Sequence, residues 1–87
     1  MLFHVYVHIM PLEALLDPAG KATQHSLQQL EITTVRDVRI GKRVRLSVEA
    51  PSEAAARAAA EEAAQRLLAN PVIEYYELGA VAEAQPA

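Results

Sequence analysis

Residues 2–10 alternate without a break: Phe3, Val5, Val7 and Ile9 fall on one side, His4, Tyr6, His8 and Met10 on the other. A period of two sends successive side chains to opposite faces, so this run is a strand whose apolar side must be buried under another layer. Its second side is not cleanly polar, because Tyr6 and Met10 lie there. The last predicted strand, Val72 to Leu78, repeats the pattern, with Ile73 and Tyr75 against Tyr76 and Leu78. With no strand face wholly polar, helices are expected on one side of the sheet and another chain on the other. Tyr6, Met10, Ile73 and Tyr75 are the candidate self-association residues.

Length sharpens that expectation. The chain has 87 residues and no cysteine, so its core is thin and disulfides, thiolate metal sites and thiol nucleophiles are closed to it. Association with further copies is the remaining inexpensive route to stability. No run approaches the roughly 20 apolar residues of a membrane span, and the N-terminus lacks the order of a signal peptide. A soluble, cytoplasmic protein is expected. The formal net charge of -3 argues against a general nucleic-acid binder, although Arg36, Arg39, Lys42, Arg43 and Arg45 concentrate positive charge in one short segment.

Between the outer strands the period changes three times. Asp17 before Pro18 reads as a carboxylate N-cap followed by a proline whose missing N–H would be unpaired anyway, which predicts a helix from Pro18 to about Leu30 despite Gly20 in its first turn. From Val35 the period returns to two, and Val38 and Ile40 before Gly41-Lys42, with Val44, Leu46 and Val48 after it, predict a hairpin. A two-residue loop there mixes apolar and basic residues on one face, so the register implies a three-residue loop, a bulge, or a sheet covered on both sides. Ser52 then caps an alanine-rich helix that Asn70-Pro71 ends. Strand, helix, strand, strand, helix, strand with short connections is an α+β, ferredoxin-like β-α-β-β-α-β order. The expected form is one antiparallel sheet with two helices on one face, its edge or second face serving oligomerisation. One domain over residues 1–79 and a flexible tail over 80–87 complete the expectation.

Chemistry is sparse. His4 and His8 share a face but stand about 13 Å apart along one strand, too far to hold one ion, and His25 has no acidic motif beside it. Gly20-Lys21 lacks the rest of a phosphate loop. Asp17, Pro18, Gly20, Asn70 and Pro71 are read as caps and turns. No catalytic, cofactor or metal residue is assigned. Arg39, Gly41, Lys42 and Arg43, at the predicted hairpin, are the candidate docking site for an acidic partner surface or for phosphate, the alternative being a solvated hairpin edge whose charges discourage aggregation.

Three segments carry a resemblance: Leu-Asp-Pro-Ala-Gly-Lys-Ala at 16–22, Val-Arg-Asp-Val-Arg-Ile-Gly-Lys at 35–42 and Leu-Leu-Ala-Asn-Pro-Val-Ile-Glu-Tyr-Tyr at 67–76. In that order and spacing they resemble the PurS family, the small subunits of phosphoribosylformylglycinamidine (FGAM) synthase. Ala19 stands where glutamine is common, Met10 to Leu15 is longer than usual, and Glu31 replaces the usual glycine after the first helix. The resemblance implies a non-catalytic, homo-oligomeric assembly subunit of purine biosynthesis. It implies PurL-type synthetase and PurQ-type glutaminase partners, bridged so that ammonia passes between them. It also implies that ATP and Mg are used by the synthetase and that this chain needs no cofactor. A small oligomeric regulatory domain binding a metabolite is the alternative reading.

Overall fold

The computed structural model describes residues 1–84. Strand β1 runs Leu2–Pro11, helix α1 Pro18–Gln29, strand β2 Lys42–Glu49, helix α2 Glu53–Ala63 and strand β3 Glu74–Glu83. The sheet is antiparallel in the order β2-β1-β3, which places the most strictly alternating segment at its centre. Phe3, Val5, Val7 and Ile9 are at most 6% exposed, because this side of β1 lies under α2, which packs against all three strands. The face of α2 turned to the sheet consists of Ala56, Ala60 and, one turn on, Ala64, all fully buried. Their small side chains let the helix backbone lie close to the strands. Leu46, Val48, Leu78 and Val81 close the edges of this thin core.

The α+β, ferredoxin-like arrangement is present, with corrections in four places. The segment predicted as the first strand of a hairpin, ending at Ile40, joins no ladder, and no turn forms at Gly41-Lys42: the chain runs straight from Gly41 into β2. The partner of β2 is β1, with Val44 opposite Val7 and Leu46 opposite Val5, a pairing across some forty residues that local periodicity does not encode. Helix α1 does not share the sheet face with α2. It lies along residues 36–40, where the Gln24 side-chain amide donates to the Arg36 carbonyl at 2.8 Å and Gly20 sits so close to the Val38 carbonyl that a Cβ would collide with it. Residues 80–83, expected in a flexible tail, extend β3 instead, and the Ala84 N–H donates to the Leu2 carbonyl at 2.8 Å. The remainder of that tail, residues 85–87, lies outside the described residues.

Helix ends follow local chemistry. Asp17 caps α1 and Ser52 caps α2, the serine accepting from the Ala55 N–H at 3.2 Å. Past Leu30, Glu31 adopts φ 65°. The Ile32 N–H reaches back to the Leu27 carbonyl at 2.9 Å and the Glu31 N–H to Gln28 at 3.0 Å, which is a Schellman ending. Helix α2 widens into a π turn over Ala64–Leu68, closed by the Ala69 N–H on the Ala64 carbonyl at 3.0 Å.

Candidate functional site

The face of the sheet turned away from α2, the open face, is where the chain gathers its polar and aromatic side chains. Residues opposite each other in an antiparallel pair share a face, and the registers assign this one row by row. Arg45 stands beside Tyr6. Arg43 is opposite His8, which is opposite Glu77, and Met10 is opposite Tyr75. Between Val5 and Val7 strand β3 carries one extra residue, so Gly79 and Ala80 together oppose Tyr6, and the His8 ring lies against Gly79. The Arg43 guanidinium carbon lies over the Tyr6 ring, 4.0 Å from its centroid, a cation–π contact. His4 Nδ1 and the Ser47 hydroxyl are 3.1 Å apart. His4, Tyr6, His8 and Met10 are each half-buried.

Three of the four residues assigned to self-association, Tyr6, Met10 and Tyr75, therefore share this face. Ile73 lies just before β3 and lines an apolar groove of about 380 Å³ with Leu16, Ile40 and Pro11. Arg45, which the sequence reading named only as part of the basic segment, and Glu77, which it did not name, belong to the same surface. Their parity with Arg43 and Tyr75 was the available signal.

The four residues assigned to partner docking do not form one patch, and this corrects the hairpin on which that assignment stood. Arg39 is a loop clamp: its guanidinium donates to the Leu15 carbonyl at 2.7 Å and the Glu13 carbonyl at 2.6 Å, with Leu12 at 3.4 Å. Gly41 lies against the Ile9 carbonyl and the Met10 sulfur with no room for a Cβ. Lys42, on the α2 side of the sheet, pairs with Glu74 at 3.6 Å. Arg43 belongs to the open face.

Asp17 is the N-cap of α1, with Pro18 in its first turn, and Gly20 lies buried inside the helix. Asp17 accepts the Gly20 N–H at 3.1 Å with one oxygen and the Ile40 N–H at 2.8 Å with the other, joining α1 to the segment that enters β2. Those two N–H donors, Ile40 first, hold its carboxyl below the usual carboxylate range. Asn70 caps its own turn, accepting the Val72 N–H at 3.1 Å, before Pro71 turns the chain into β3. On the covered side Tyr76 donates its hydroxyl to Glu61 of α2, and that carboxylate raises the phenol's pKa. Among the described residues no group of three His, Cys, Asp or Glu side chains converges as a metal site would require. No helix among them is long and apolar enough to cross a membrane.

Known proteins share both sequence and geometry with this chain. The phosphoribosylformylglycinamidine synthase subunit PurS of a Synechocystis species is 45% identical over 74 residues, covering 85% of this chain and 74% of that protein. PurS of Thermus thermophilus superposes with a TM-score of 0.89 at 32% identity, covering 98% of this chain and all of that one. A chain in the structure of PurLQS from Thermotoga maritima superposes with a TM-score of 0.83 at 30% identity, covering 91% of this chain and 96% of that one. A family model described as PurS, phosphoribosylformylglycinamidine (FGAM) synthase, matches residues 4–82, and with these relatives it establishes that the chain belongs to the PurS family.

Proposed function

We propose that this chain is a non-catalytic assembly subunit of FGAM synthase in purine biosynthesis, acting in the cytoplasm as a homo-oligomer that bridges a PurL-type synthetase and a PurQ-type glutaminase. The observation that carries the reading is the likeness, over nearly the whole chain, to a protein that occurs in PurLQS. In this reading the synthetase uses ATP and Mg, the glutaminase releases ammonia, and this chain holds the two in a geometry that lets ammonia pass without loss to solvent. It carries no cofactor of its own.

Shape supports the homo-oligomer. The radius of gyration is 16.5 Å with extents of 50 × 31 × 16 Å, whereas a compact chain of this length has a radius of about 12 Å. The excess comes from α1 and residues 31–41, which leave the sheet as an arm. Gly20 is the buried residue of α1, and Leu30 beyond its end is 69% exposed. An uncovered helix and an uncovered sheet face on one small chain are what a second copy would bury. Size-exclusion chromatography of PurL-type and PurQ-type subunits tests the bridging role: a joint peak is expected with this chain present and separate peaks without it. A joint peak in its absence would remove the role.

A further inference from the structure

Residues 13–17, Lys21 of α1 and residues 37–39 line a cavity of about 330 Å³, within the range of about 300–1,000 Å³ that holds small molecules. Its lining has three kinds of group. Two charged residues are already spent: Arg39 gives its guanidinium to the carbonyls of Leu12, Glu13 and Leu15, and Asp17 takes the N–H groups of Gly20 and Ile40. Ala14, Leu15, Leu16 and Val38 supply apolar surface. The third kind is charged and free. Lys21 on the helix, Glu13 on the loop and Asp37 on the segment leading to β2 all line the cavity, and among the described residues their side chains enter no ion pair with one another or with any other group.

Opposite charges held around one small, partly apolar cavity without touching are complementary to a molecule that carries both charges itself. A simple anion there meets Lys21 but also two carboxylates, and a simple amine leaves Lys21 repelling it. A zwitterion matches both. We propose that this cavity binds a free α-amino acid with an apolar side chain, Lys21 holding its carboxylate, Asp37 and Glu13 its ammonium, and Leu15, Leu16 and Val38 its side chain. The Lys21 ammonium donates to the ligand carboxylate, and the three donors of the ligand ammonium are shared between two acceptor carboxylates, all charge-assisted bonds. Bound there, the ligand ties α1 to the segment entering β2, across the joint that Asp17 already spans through the Ile40 N–H, so occupancy stiffens the base of the arm. The site is independent of the assembly role.

Leucine and two analogues that each lack one of its charges test the site on the full-length, isotope-labelled chain. Isocaproate keeps the carboxylate and side chain without the ammonium, and isoamylamine keeps the ammonium and side chain without the carboxylate. In heteronuclear NMR titrations leucine is expected to shift the amides of residues 13–21 and 37–39 saturably at millimolar concentration, and each analogue to bind about tenfold more weakly or worse. Lys21→Gln is expected to abolish the preference for leucine over isoamylamine and keep that over isocaproate; Asp37→Asn combined with Glu13→Gln is expected to do the reverse. All three side chains are exposed, and amide dispersion establishes that each variant is folded. No saturable shift with leucine overturns the proposal, as does either analogue binding as tightly as leucine, or variants that weaken all three ligands alike. The comparison of the three ligands on the parent chain decides the matter even if a variant does not fold.

Discussion

Glu31 is a residue under strain in a place built for another. Its φ of 65° closes the Schellman ending of α1, a position where a side chain costs energy and glycine does not, and the family resemblance puts glycine there. Glu31→Gly is expected to raise stability by about 0.5–1 kcal/mol, glycine's greater freedom in the unfolded chain offsetting part of the relief; a denaturant midpoint that falls contradicts this. Arg39 was legible as a charge and not as a clamp, because nothing local in the sequence shows that carbonyls twenty-odd residues upstream will converge on it. Arg39→Gln should lower stability by about 1–2 kcal/mol through the lost carbonyl bonds, whereas an exposed docking charge would leave the midpoint unmoved. Asp17 was legible as a cap, but its second bond, to the Ile40 N–H, was not. Its folded pKa is lowered, so its contribution is complete above the unfolded value near 3.8 and fades as pH falls below that value through the folded one. Asp17→Asn keeps a capping oxygen yet loses an acceptor for one of the two N–H groups. It should therefore destabilise the chain at pH 7 and flatten the acid limb of its stability profile, and an unchanged limb refutes the assignment.

At the scale of elements, β1, both helices and the existence of β2 and β3 were readable because each carries its own signal: alternation in β1, a cap before α1, alanine and Ser52 for α2. The residues before Gly41 failed for a physical reason. Val38 and Ile40 give the same period of two whether the segment pairs with a neighbour or runs beside a helix, and α1 claims its backbone through Gln24 and Asp17. The C-terminal extension of β3 was hidden by composition, since Gly79, Ala80 and Ala82 look like a loose tail until β1 supplies the ladder. The alanine face of α2 permits a sharp test of packing. Ala60 is fully buried against the cluster of Phe3, Val5 and Ala56, so Ala60→Leu should cost about 1–3 kcal/mol by overpacking. Ala59, one residue away and exposed, should tolerate the same change, and equal costs at the two sites would refute the placement of the helix.

For the whole molecule, the two-faced strands point to a covering chain from the sequence alone, and the arm formed by α1 adds a second surface that a lone copy leaves in water. What stayed hidden was the division of labour among the basic residues, since the predicted hairpin gathered Arg39, Lys42 and Arg43 at one tip while the fold sends them to a loop, an ion pair and the open face. The central claim is that this chain assembles a synthetase with a glutaminase and performs no chemistry itself. The direct measurement is FGAM formation by the two partner subunits with glutamine or with free ammonia as nitrogen donor, each with and without this chain. Assembly predicts that glutamine-dependent turnover requires the chain while ammonia-dependent turnover proceeds without it. Glutamine-dependent turnover at the same rate in its absence would contradict the account.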